Sequence, residues 1–282
     1  MKDKLLGIGE RIVKEMRERG ADEAIVLPVH RERMMVRFSN NKVTVVQNWS
    51  MISADLLSIF GRKRLITRFE DISEGALNNT ISRVVKEAAL VPEVKEIAPL
   101  PAGRKFPDRY ERERIDADTI NGNISLAINA ETREGAARVA GVFTAEVRRC
   151  GLIGTNGAQG YDERASFELN MRAFGDGLSG QGLTCGTKMK ALTAEVAGRE
   201  AGTIVRHGRN ISKWFEGKHH VLFGPIIGAN LLEYIGRACS AFNVEAGYSC
   251  LAGRLGQSVV SKVLSMVDDG PGDEGLDSRG FD

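Results

Sequence analysis

Aromatic residues are scarce in this chain, 6% of its 282 positions, which argues against a carbohydrate-binding surface. Long apolar runs are missing too: no stretch approaches the roughly 18 consecutive apolar residues that a membrane span requires. The opening segment, MKDKLLGIGERIVKEMRERG, is charged throughout where a signal peptide would carry an apolar core, so a soluble, cytoplasmic protein is expected. Neither sign of charge dominates. The net charge is +2 and no basic block occurs, so neither a membrane nor nucleic acid is an expected partner.

Motifs that carry chemistry are also in short supply. Cys150, Cys185, Cys239 and Cys250 form no C-x-x-C pair, which excludes a zinc ribbon or a thioredoxin-like site. They are expected to be reduced, with Cys185 and Cys250 buried and not nucleophilic. His30, His207, His219 and His220 nowhere show the i, i+4 spacing that sets two imidazoles on one helical face. His219 and His220 would point to opposite sides of an extended chain and read as solvent-facing. The run FGDGLSGQGLTCG, residues 174–186, has neither phosphate-loop nor dinucleotide-loop spacing and reads as a flexible connection. Ser179 and Ser249 lack a G-x-S-x-G elbow. Asp268, Asp269, Asp273, Glu274 and Asp277 match no EF-hand spacing and read as turn-capping residues.

What is present is a clear alternation of periods. Leu5, Ile8, Ile12 and Met16 form a helical stripe that ends at Gly20. From Glu23 to Phe69 the period becomes two, with Met34, Val36 and Phe38 alternating with charge and Ser39-Asn40-Asn41 turning into Val43 and Val45. A meander of four or five strands is expected there. Ser73 then opens a second helical stripe through Leu77, Ile81, Val84 and Ala88.

Residues 93–115 hold many charges and prolines without a sustained period and read as a linker. Beyond it the pattern predicts a helix over 117–135, capped by Asp116 or Asp118, and a strand over 139–147. A Gly154-Thr155-Asn156-Gly157 turn then leads to a strand through Ala165, Phe167, Leu169, Met171 and Ala173. A helix over 188–205, a short strand Val221-Leu222-Phe223 and a helix opening at Pro225 complete the pass. The fold class is therefore α+β: an N-terminal domain of helices and antiparallel sheet over 1–92, then a second β-rich domain with packed helices over 116–282.

Three stretches together resemble the TldD/PmbA family, also labelled modulators of DNA gyrase: RERMMVRFSNNKVTVVQNWS, IGTNGAQGYDERASFELNMRA, and the whole of 221–282. In the family's proteolytic TldD-type subunit, the strand corresponding to 221–223 leads into a helix with an H-E-x-x-x-H zinc motif. Here the two histidine positions are Gly224 and Ala229 and the glutamate position is Pro225. None offers a side-chain donor, so no zinc is expected in this chain.

The resemblance thus implies the zinc-less TldE/PmbA-type branch, which keeps a tail like that at 252–269, where Val259, Val260, Val263 and Val267 are expected to pack. It implies no cofactor here, zinc only in a TldD-like peptidase partner, a heterodimer that degrades extended peptides, and a pseudo-active site at Gly224, Pro225 and Ala229. A homo-oligomer is a further possibility it leaves open. Family members continue beyond the position of Asp282, so the second domain is expected to be incomplete. The rival readings are a protein-binding regulatory module, an autonomous hydrolase with another site, and a remnant without activity.

Overall fold

The computed structural model describes residues 1–210, 212–270, 272 and 275–281. It divides into two compact units, one formed by 1–209 with 270–282 and the other by 210–269.

The larger unit is built on one six-stranded antiparallel sheet ordered β3-β2-β1-β4-β5-β6. Helix α1 (Lys2–Glu18) buries Leu5, Ile12 and Met16, the predicted stripe, and is followed by Gly20 at φ +94°. Strand β1 (Glu23–Ser39) turns into β2 (Lys42–Phe60) through Asn40 and Asn41, both at positive φ, the conformation a two-residue hairpin needs. Strand β3 (Lys63–Phe69) and helix α2 (Glu74–Leu90) follow.

The expected four or five strands are three, because β1 and β2 continue through their charged stretches. The Arg33 guanidinium reaches the Glu146 carboxylate on β4 at 2.7 Å, so charge in mid-strand is satisfied across the sheet instead of ending the strand.

Residues 93–115, expected as a linker, lie within the larger unit. They carry no helix, but bridge to β5 at Lys105–Gln159 and Arg109–Asp162. Helix α3 (Ala117–Arg133) is capped by Asp116, whose carboxylate accepts from the Thr119 N–H at 2.9 Å. Strands β4 (Arg138–Gly154) and β5 (Gln159–Gly175) are longer than their apolar cores predicted. Strand β4 pairs with β1, so a single sheet spans both sides of the linker.

The glycine-rich run is not a flexible connection. It forms the edge strand β6 (Leu178–Gly186), on which helix α4 (Ala194–Gly208) packs. A Cβ at Gly180 would lie 2.1 Å from the Ala201 carbonyl oxygen. These glycines admit the helix backbone, which is why a strand without an apolar stripe is stable here.

Helices α1 and α2 cover one part of the sheet and α3 and α4 another, all on the same face. Ala24, Val26, Val36 and Phe38 of β1 share one parity and enter both cores. No helix of the described residues is long and apolar enough to cross a membrane. The smaller unit holds helices α5 (Pro225–Cys239) and α6 (Ala241–Glu245) and no strand among its described residues. The expected strand at 221–223 does not form: those residues carry no strand and pair with no strand of the described residues. In the 252–269 tail, Val259, Val260, Val263 and Val267, expected to pack, are all exposed.

Candidate functional site

Gly224, Pro225 and Ala229, expected from the resemblance to stand at the motif positions, lie at the start of α5 (Pro225–Cys239). Gly224 is its N-cap residue, Pro225 occupies the first turn where a missing N–H costs nothing, and Ala229 follows one turn later. Pro225 and Ala229 are exposed, and no side chain of α5 is buried. His219 lies five residues ahead of Gly224. Its ring sits 4.2 Å from that of Trp214, and its Nε2 stands 3.0 Å from the Phe215 carbonyl oxygen.

Zinc fits poorly with this stretch, because Gly, Pro and Ala contribute no ligand and the His219 imidazole is engaged locally. Among the described residues, no group of three or more His, Cys, Asp or Glu is placed to hold a metal ion. Asp273 and Glu274 lie outside the described residues, and Asp277 forms a close ion pair with buried Arg148. Asp277 is therefore an ion-pair partner, which its loop setting in the sequence did not reveal.

The groups that could act as nucleophiles are the thiols and one Ser–His pair. Cys185 and Cys250, expected to be buried, are exposed; Cys185 sits on the edge strand and Cys250 in a turn of the smaller unit. Burial raises the Cys185 thiol above its ordinary value and Glu168 adds to the shift, the reverse of what an activated thiolate needs. Cys150 is buried and pushed up to about 11.

Register brings together a pair that the sequence hides: Ser50 Oγ lies 3.0 Å from Nε2 of buried His30. The other ring nitrogen, Nδ1, faces the Arg149 guanidinium at 3.3 Å. A guanidinium only donates, so Nδ1 carries the lone pair and Nε2–H donates to Ser50. In that tautomer His30 does not accept the serine proton. Burial, with a smaller contribution from Arg149, also holds the imidazole below its ordinary pKa. Glu32 and Glu163 flank Arg149 at 2.9 and 3.4 Å, and together these groups form a partly buried polar network.

The feature best suited to recognition is an open strand edge. Strand β3 pairs only with Ala54–Phe60, so residues 42–53 of β2 have β1 on one side and no strand of the described residues on the other. Along that edge Val43, Val45, Val46, Trp49 and Met51 are exposed, Val46 by 54% and Trp49 by 43%. An edge of this length and apolar character is a template for pairing with an extended chain.

Residues 216–282 match the family model of the PmbA/TldA metallopeptidase C-terminal domain. No curated protein matches the sequence. Solved structures share the fold at 14% identity. TldE from Thermococcus kodakarensis aligns with a TM-score of 0.65 over 87% of this chain and 58% of its own. A candidate modulator of DNA gyrase from Bacteroides thetaiotaomicron aligns at 14% identity and a TM-score of 0.68 over 92% of this chain and 62% of its own. Another from Thermotoga maritima reaches 0.63, at 14% identity, over 89% of this chain and 59% of its own. The chain thus spans less than two thirds of the length of each.

Proposed function

We propose, on the match of residues 216–282, that the chain is a TldD/PmbA-family protein and a non-catalytic, TldE/PmbA-type subunit of a heteromeric peptidase. The observation that carries this reading is the donor-free stretch Gly224, Pro225 and Ala229 in a segment that matches a metallopeptidase domain. A zinc-bearing, TldD-like partner would do the chemistry. This subunit would hold an unfolded or extended peptide at the open edge of β2, where main-chain hydrogen bonds give affinity without requiring a particular sequence. The exposed apolar side chains along the edge add contact area on alternate residues of the guest.

The test is co-purification from the native host with zinc and peptidase activity followed in the same fractions. The expected result is a stoichiometric second chain that carries the zinc, with peptide cleavage requiring both. Cleavage by the isolated, metal-free chain would overturn the proposal and favour an autonomous hydrolase.

A further inference from the structure

A cavity of about 400 Å3 lies in the larger unit, on the sheet face opposite its helices. That volume falls within the about 300–1,000 Å3 usual for small-ligand sites. Its floor is apolar: Ile25 and Leu27 from β1, Leu152 from β4, and Ala158 from the turn into β5. Phe106 and Phe281 form a wall, their rings tilted with centroids 5.8 Å apart. Gly160 makes room for that wall, since a Cβ there would stand 2.8 Å from the Phe281 ring.

The rim is fixed by hydrogen bonds. The Asn156 side chain donates to the Pro101 carbonyl at 2.8 Å and accepts from the Ala158 N–H at 3.0 Å. The Glu23 carboxylate accepts from the Leu100 N–H at 3.1 Å. Gly103 runs so close to the turn that a Cβ would lie 2.3 Å from the Asn156 carbonyl oxygen. The cavity is therefore a formed one, held by contacts between the linker and the β4–β5 turn.

All side-chain charge lining it is positive. Arg104 and Arg279 line the cavity, no carboxylate does, and neither arginine has an acidic partner among the described residues. Arg104 is positioned over the Phe106 ring at 4.6 Å. A guanidinium presents a planar fork of donors that matches a carboxylate, and an apolar floor with cationic groups at its rim favours a ligand of the opposite pattern.

We propose that this cavity binds a small carboxylate on an apolar stem, the stem against Leu27, Leu152 and Phe106 and the carboxylate on Arg104 and Arg279. Such a group occurs on a free medium-chain acid and at the C-terminus of a peptide that ends in an apolar residue. The site is independent of the positions at the start of α5, so its failure and that of the subunit reading are distinguishable.

The test is calorimetric titration of the full chain with octanoate, 1-octanol and octylamine, and with N-acetyl-Ala-Leu as free acid and as amide. We expect at least one acid to bind about tenfold more tightly than its neutral or cationic counterpart, and the Arg104→Ala/Arg279→Ala variant to lose about that factor. Both arginines lie outside the hydrophobic cores, and thermal melts check that the double variant is folded. Intermolecular nuclear Overhauser effects from the ligand to the Phe106 and Phe281 rings locate the site without any variant. Binding of octanoate alone assigns a free acid; preference for the acetylated dipeptide acid assigns a peptide terminus. Absence of binding by both acids, equal binding of octanol and octanoate, or ligand contacts that miss Phe106 and Phe281 would overturn the proposal.

Discussion

Gly182 lies directly against Ala197: a Cβ at position 182 would stand 2.1 Å from the Ala197 carbonyl oxygen. This approach seats α4 on the edge strand β6 and closes the core formed with α3. Gly182→Ala is expected to destabilise the chain by about 1–3 kcal/mol, as overpacking does. Gly186→Ala is the control, because its Cβ would meet nothing closer than 3.8 Å. Urea unfolding of the two variants makes the comparison, and equal midpoints would contradict the packing account.

Glu131 is fully buried on α3, and neither carboxylate oxygen has a hydrogen-bond partner among the described residues. Burial raises its pKa from 4.5 to about 8. Between those values the folded chain keeps a proton that the unfolded chain has released. The contribution to stability is therefore complete below pH 4.5, falls as pH rises toward 8 and levels off above it. Glu131→Gln is expected to melt higher than the parent at pH 8, with the gap shrinking toward pH 5. Melting curves across that range check it, and a gap independent of pH would show that the carboxyl is not desolvated in the folded state.

Three of the four thiols are exposed and Cys150 is buried. With a disulfide-exchange reagent at pH 8, Cys239 and Cys250 should react promptly, Cys185 more slowly because burial and Glu168 raise its pKa, and Cys150 only after denaturant is added. Mass mapping of the labelled residues distinguishes this from the burial of Cys185 and Cys250 that the sequence suggested.

Trp49 stands on the open edge of β2, and the chain has two tryptophans, the other being Trp214. In a Trp214→Phe background, pairing of an extended peptide along 42–53 should shift Trp49 emission to the blue. N-methylation of alternate residues of that peptide should weaken binding at least about tenfold by removing main-chain donors. Unchanged affinity for the methylated peptide would rule out pairing at a strand edge.

Much of the fold was legible because local periodicity carries it. The stripe on α1, the Asp116 cap of α3, the Asn40-Asn41 turn and the alternation along β5 are each written within a few consecutive residues. Side-chain spacing alone dictates which face is buried in such segments. That Gly224, Pro225 and Ala229 carry no side-chain donor was legible directly, since it follows from residue identity alone.

What the sequence by itself determined, then, was the α+β class, most of the elements and the lack of side-chain donors at Gly224, Pro225 and Ala229. Tertiary structure decided the rest. Whether 178–186 is a loop or a strand depended on α4, whose backbone needs the space its glycines leave. Pairing of β1 with β4 placed His30 beside Arg149, and with that the tautomer that keeps Ser50 from being activated. Arg104 and Arg279 are 175 positions apart and became one cationic rim only through folding of the linker onto the sheet. Contacts of that kind have no local signature, because their free energy arises only when distant segments exclude water from a shared surface.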